Sequence, residues 1–251
     1  MIFCFSATGN SLDLARRLCA EGESPVEITA CLQDGRFDFS IAENEPVELV
    51  SPVYCGGVPQ CVSDFLARLS LPAPPAWLAV VLTESGAAGE APAVFAREMS
   101  FALGRAPDAV YTVRMPENNV IEAALWEEDA VQETIAAAHG EIEAIRAAID
   151  KRTPCPAAGE ITEQTARLRA HYDEMRQTAP FHVADTCVHC GVCASRCPSG
   201  ALIMQNGTPT WVKDRCSLCM ACIRCGAILY GERITGKPRY VHPMLRKKKA
   251  M

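Results

Sequence analysis

Eight of the 14 cysteines of this chain fall between residues 187 and 225, in two dense rows that constrain the fold more than any other feature. The first row is Cys187, Cys190, Cys193 and Cys197, followed at once by Pro198. Its spacing, C-x2-C-x2-C-x3-C-P, is a run that wraps a 4Fe–4S cluster. The second row is Cys216, Cys219, Cys222 and Cys225, and 18 residues lie between the rows. Two-residue gaps let three thiolates of one loop reach three corners of one cubane while loop N–H groups point at the sulfurs. Where two clusters share a chain, the fourth cysteine of a row ligates the other row's cluster. One cluster then takes Cys187, Cys190, Cys193 and Cys225, and the other takes Cys216, Cys219, Cys222 and Cys197. Paired C-x2-C units also build zinc ribbons. Those need only four ligands in widely spaced pairs, so two tight triplets suit cubanes better.

The second row ends Cys222-Ile223-Arg224-Cys225-Gly226, one residue shorter than the first and without its proline. Two outcomes stay open there: a four-iron cluster completed by Cys225, or a three-iron cluster or one with another ligand.

A chain of 251 residues accommodates one domain of about 150 residues and a smaller one. With 49% hydrophobic and 22% charged residues it matches ordinary globular proteins. Met1 leads straight into the apolar run Ile2–Phe5, so no secretory leader is expected. The longest aliphatic stretch, Trp77–Leu82, is too short to span a bilayer. Cluster thiolates need a reducing compartment, and a cytoplasmic location is expected. Residues 1–180 carry 13 Lys+Arg against 27 Asp+Glu, whereas residues 181–251 carry 11 against 3. That asymmetry points to attraction between the halves, or to an acidic redox partner protein, rather than to nucleic acid. The terminal Arg246-Lys247-Lys248-Lys249 reads as a solvated end, too short to make a nucleic-acid site alone.

Before the cysteine rows the pattern alternates. Residues 1–5 read as a buried strand, followed by the loop Ser6-Ala7-Thr8-Gly9-Asn10-Ser11 and a helix through Leu12, Leu14, Ala15 and Leu18. Further strands are expected at Val26–Thr29, Val47–Val53, Trp77–Thr83 and Asp108–Val113, with helices at 58–71, 90–104 and 128–152. Five strands separated by helices or loops imply a parallel sheet covered on both faces. Ligands of such sheets bind beyond the strand C-termini at the switch point, here between the first and third strands. The first loop has hydroxyls and amides at a helix N-terminus, an anion site by geometry, but no lysine of a Walker motif. A simple N-cap by Ser6 or Asn10 is the competing reading. The second loop, Ser51-Pro52-Val53-Tyr54-Cys55-Gly56-Gly57-Val58-Pro59, has the glycines and aromatic suited to a flat ring lying against backbone. The third, Thr83-Glu84-Ser85-Gly86-Ala87-Ala88-Gly89, is placed to cover its other side.

Phe5–Ser11, Pro52–Pro59, Arg114-Met115-Pro116-Glu117-Asn118 and the cysteine rows together resemble the EFR-type flavodoxin–ferredoxin fusion family, over nearly the full chain. The resemblance implies a flavodoxin-like doubly wound five-stranded sheet at 1–152, then a small α+β two-cluster ferredoxin-like domain at 181–251. It further implies FMN in the first, two 4Fe–4S clusters in the second, and electron transfer between them. Ser6, Thr8, Gly9, Asn10 and Ser11 would hold the phosphate, and Pro52, Tyr54, Cys55, Gly56, Gly57, Ser85 and Gly86 would lie against the ring. The sequence departs from the family in the third loop, where Glu84 and Ser85 stand in place of an aromatic, and in having Cys55 after Tyr54. A flavin-dependent reductase of a small acceptor, or a redox sensor with a vestigial pocket, are the rival readings.

Residues 153–180 read as a linker carrying a helix at 160–178, whose Ile161, Leu168 and Tyr172 form a docking stripe; a free linker is the alternative. Leu202–Met204 and Ala227–Tyr230 read as strand pieces shielding the clusters. Cys4, Cys19, Cys31, Cys55 and Cys61 read as small buried hydrophobes, Cys55 alone being expected at the ring. Asn118 and Asn119 are candidates for the ring's polar edge, with turn chemistry as the alternative. No Ser-His-Asp set or carboxylate pair supports hydrolysis.

Overall fold

The structure, a computed structural model, describes residues 1–157 and 159–246, so Lys247, Lys248 and Lys249 of the basic run lie outside it. Strands β1 (Ile2–Cys4), β2 (Val26–Glu27), β3 (Pro46–Pro52), β4 (Trp77–Glu84) and β5 (Ala109–Arg114) form one parallel sheet in the order β2-β1-β3-β4-β5. This is the doubly wound α/β, flavodoxin-like order, and its direction reverses between β1 and β3. Apolar side chains on both faces of β3 and β4 require cover on both sides. Helices α1 (Asn10–Leu18), α2 (Ile28–Asp34), α3 (Gln60–Leu66), α4 (Ala91–Leu103) and α5 (Glu128–Asp150) supply it. Leu14, Ala15 and Leu18 of α1 pack with Ile142, Ile145 and Ile149 of α5 on one face. Ile28, Val62, Phe65 and Phe95 cover the other.

Val26–Thr29 is not one strand. Pairing stops at Glu27, and the chain coils from Ile28. The β-branched residues favour a strand locally, but Ile28 and Cys31 lie one helical turn apart and both are fully buried, so packing overrides propensity. The chain also stays with the sheet beyond α5, because Val110 N–H donates to Cys155 O at 2.7 Å.

Helix α6 (Glu163–Met175) starts where Thr162 Oγ1 accepts from the Gln164 N–H. It is a packed helix rather than a free tether. Glu90 takes Thr162 N–H at 2.8 Å and the Thr165 hydroxyl at 2.5 Å, and Arg169 donates to Tyr54 O and Val58 O, both at 2.8 Å. Tyr172 donates to Ser217 O at 2.8 Å while accepting from Gln60 N–H.

The C-terminal unit is small. It contains β6 (Phe181–Val183), the short helix α7 (Val192–Ser195), the hairpin β7 (Leu202–Gln205) with β8 (Thr208–Trp211), and β9 (Ile228–Tyr230), which pairs with β6. The two residues between β7 and β8, Asn206 and Gly207, have φ 50 and 78, the left-handed pair of a type I′ turn. Phe181 stacks on Trp211 with ring centroids 5.8 Å apart and meets Tyr230 edge-on at 4.8 Å, giving the unit its core. The last described segment returns to the first unit: Tyr240 OH donates to Asn10 Oδ1 at 2.6 Å and His242 N–H to Thr8 O at 2.8 Å. Among the described residues no helix is long and apolar enough to cross a membrane.

Glu48, central in β3 and 7% exposed, has one carboxylate oxygen without a partner. Burial raises its pKa to about 7, the N-terminus opposing. The folded state therefore holds its proton more tightly than the unfolded chain, and the stability this gives is lost as pH rises from about 4.5 through about 7. Glu48→Gln should flatten that dependence and stabilise the protein at pH 8, by up to about 3 kcal/mol. Urea unfolding of both proteins at pH 5 and pH 8 checks this; an equal effect of the substitution at both pH values would refute it.

Candidate redox site

The two cysteine rows share one backbone conformation. In the first, His189 (φ 54) and Gly191 (φ 75) are left-handed; in the second, Leu218 (φ 49) and Met220 (φ 65) hold the same positions. Left-handed turns at non-glycine residues cost on the order of 1–3 kcal/mol each and persist only where the surroundings impose them. Here they turn N–H groups toward sulfur: His189 N–H lies 3.4 Å from Cys187 Sγ and Leu218 N–H 3.3 Å from Cys216 Sγ. Such concave runs of N–H groups suit an anionic cluster.

The shortened end of the second row is met by a tighter coil. Cys193 and Cys197 are four residues apart across α7, about 400° of α-helical rotation. Cys222 and Cys225 are three apart across a 3-10 turn, about 360°. The Cys225 thiol is exposed and donates to Cys222 O at 3.5 Å.

Cys197, Cys216, Cys219 and Cys222 line a single void, walled by Phe181, Leu202, Trp211 and Met220. Its volume is about 20 Å³. Burial raises the Cys216 thiol to about 11, and pushes Cys219 and Cys222 up further; the neighbouring Cys197 adds to the rise in all three. Cys193 is raised by burial and then by Cys225 and Cys187. Cys222 has both Cys197 and Cys193 as neighbours, so the ends of the two rows lie close together. Thiols held protonated by burial would have to release their protons on binding a metal. Among the described residues no three His, Cys, Asp or Glu side chains converge on a point that would hold one metal ion. A zinc tetrahedron needs sulfurs roughly 3.8 Å apart, from Zn–S bonds near 2.3 Å.

Beside the second row, a cleft of about 200 Å³ opens at the C-terminal ends of β1, β3, β4 and β5. Ser6, Thr8, Asn10 and Ser11 of the first loop line it, with Pro52, Tyr54 and Cys55 of the second and Ser85 of the third. The C-terminal unit contributes Leu218 and Met220, the residues on either side of Cys219. Three polar atoms from residues lining the cleft are buried without partners: Tyr54 Oη, Glu84 Oε2 and Asn119 Oδ1. Burial raises the Glu84 carboxyl, with the Gly86 N–H opposing. All three atoms are shut off from solvent, so each would meet a ligand of the cleft only if its side chain turned toward it.

Of the expected residues, Gly9, Gly56, Gly57 and Gly86 do not line the cleft. A Cβ on Gly56 would lie 3.0 Å from Leu168 Cδ1, and one on Gly57 3.1 Å from Arg169 Cδ. The glycine pair thus makes room for α6. Gly9 (φ 111) is the N-cap of α1, and a Cβ there would lie 2.5 Å from His242 Cβ. Neither Ser6 nor Asn10 caps the helix: Ser6 Oγ accepts from Gly9 N–H, and Asn10 is the first helical residue. The first N–H groups of α1 are therefore left without a side-chain cap, as an anion site requires.

The β5 loop was the least legible part. Glu117 Oε1 accepts from the N–H of Asn118 and Asn119, Glu117 Oε2 takes the Ser85 hydroxyl, and Asn118 Nδ2 donates to Thr8 Oγ1. Met115, Pro116 and Glu117 thereby join the cleft wall. The motif Arg114–Asn118 stood out in the sequence, but β3 and β4 separate β5 from β1, and it is the loop after β5 that reaches back to Thr8 and Asn10.

Among known families, a 4Fe-4S binding domain model matches residues 180–203, covering the first cysteine row. No curated protein and no solved structure matches the chain. The chain thus joins a flavodoxin-like α/β unit to a 4Fe–4S ferredoxin-type segment, which supports an iron–sulfur electron-transfer role.

Proposed function

We propose that the protein passes electrons between two 4Fe–4S clusters and an FMN held in the cleft. The observation that carries this reading is the position of Leu218 and Met220, which flank Cys219 and at the same time wall the cleft at the sheet's switch point. Cys187, Cys190, Cys193 and Cys225 would hold one cluster, and Cys216, Cys219, Cys222 and Cys197 the other. A cluster supplies one-electron transfer and a flavin one- or two-electron transfer, so together they interconvert the two. The uncapped α1 N-terminus, in the loop that carries Ser6, Thr8, Asn10 and Ser11, suits the phosphate, and Tyr54, Cys55 and Ser85 line the space for the ring. Cys190, Cys225 and the 80% exposed Val188 leave the first row open to solvent, which suits it to meet a partner protein. The division into a unit at 1–152, a docking segment at 153–180 and a cluster unit from 181 is part of this proposal.

Anaerobic purification should yield about eight irons per chain, and Cys197→Ser and Cys225→Ser should each lose iron from a different cluster. EPR of the reduced variants distinguishes the clusters; iron unchanged in Cys225→Ser would remove that residue from the ligand set, and zinc in place of iron would refute the cluster assignment.

FMN should quench on binding and bind at least about tenfold tighter than riboflavin, a difference of about 1.4 kcal/mol from the phosphate. Ser6→Asp, which puts a carboxylate at the α1 N-terminus, should abolish that preference and leave riboflavin binding unchanged. Fluorescence titration reads both; failure of either flavin to bind would refute an FMN site.

A further inference from the structure

A second cavity, of about 310 Å³, lies on the opposite side of the Ser6–Ala7 loop, between the two units. Three arginines line it: Arg16 of α1, Arg196 before Cys197, and Arg224 before Cys225. The two rows therefore deliver an equivalent residue, the one preceding the last cysteine, into one space. Arg16 and Arg196 stand exposed at the mouth, and Arg224 is half-buried. Arg224 donates one terminal nitrogen to Ala7 O at 3.2 Å, while its Nε is buried and bonded to nothing. Among the described residues none of the three forms an ion pair, and Glu27 is the one carboxylate in the lining. Thr29 and Ser195 add hydroxyls to the same wall.

Guanidinium groups are planar forks that match phosphate oxygens two at a time. Bringing three of them together with the single carboxylate of Glu27 costs Coulomb energy that an anion would return. We propose that this inter-unit cavity binds a small phosphate-type oxyanion, free or as the phosphate end of a nucleotide, distinct from any ligand of the cleft. Cys219 also lines the cavity, so the bound charge would sit against the second-row cluster. That coupling rests on the cluster reading above, whereas the site itself does not. By reciprocity, an anion that binds the reduced protein less tightly lowers the cluster's potential.

Isothermal titration of the full, iron-loaded chain with inorganic phosphate, pyrophosphate and ADP, at ionic strength held constant with chloride, tests the site. Saturable binding is expected, weakened at least tenfold by Arg224→Gln and by Arg16→Gln. Arg16 is exposed and lies on α1, outside both cysteine rows, so its variant decides the question even if Arg224→Gln loses iron. Tighter binding of ADP than of pyrophosphate would identify a nucleotide, and equal binding the bare oxyanion. Heat that follows ionic strength alone, or survives both substitutions, would overturn the proposal. Voltammetry with pyrophosphate reads the coupling separately. A tenfold preference for the oxidised protein corresponds to a fall of 59 mV. Binding without that fall would leave the site standing and deny its link to the cluster.

Discussion

The geometry of the site depends on one buried hydroxyl. Tyr172, 1% exposed, donates to the Ser217 carbonyl of the second cysteine row and accepts from Gln60 N–H at the start of α3. A hydroxyl can serve two partners at once, and here they belong to different units. Burial pushes the phenol's pKa up, so the group stays protonated and able to donate. Arg176 reinforces the junction by bonding Cys216 O at 2.8 Å and Gln60 Oε1 at 2.9 Å. Because Ser217 is thus fixed against the first unit, Leu218 and Met220 have no choice but to face the cleft.

The same constraint explains why the left-handed residues are tolerated. Leu218 and Met220 bear a conformational cost that His189 shares and Gly191 avoids. In the second row the side chains gain a packed wall in return, since both are nearly fully buried. In the first row the equivalent residues border solvent, and a Cβ on Gly191 would meet only Met204 within 4 Å. One backbone solution serves both rows, but only one row is built into an interface. On the proposed reading, this asymmetry of environment would give two chemically identical clusters different potentials, through burial and hydrogen bonding.

Much of this was legible in residue order because it rests on local chemistry. Cysteine spacing is a covalent requirement of a cluster, and continuous apolar runs such as Trp77–Leu82 are a requirement of a two-sided sheet. What was illegible depends on distant partners. Gly56 and Gly57 invite a ring on composition alone, yet their missing side chains are filled by Leu168 and Arg169, more than a hundred residues away. Ile28 reads as strand until Cys31 is seen to share its buried face. The hairpin at Asn206-Gly207 could have been found, since that pair between apolar residues is a strong turn signal. The return of Tyr240 and His242 to the first loop could not, for nothing in Arg239–Pro243 names Asn10 or Thr8 as its partner.

That return has a consequence for how the two units hold together. The first loop is gripped by the C-terminal unit's last segment at Thr8 and Asn10, by Arg224 at Ala7, and by the β5 loop at Thr8. If the loop binds the proposed phosphate with its N–H groups, it gains from being fixed beforehand, because the ordering entropy is then lost in folding rather than in binding. Its side chains are accordingly used up in internal bonds: Ser11 with Thr83, Asn10 with Pro116 O and Tyr240, Thr8 with Asn118. The hydroxyls and amides therefore shape the loop, while the helix N-terminus is left to meet the ligand. Docking of the units and binding in the cleft are linked for the same reason, since each unit supplies part of the wall and any ligand touching both must favour the docked arrangement.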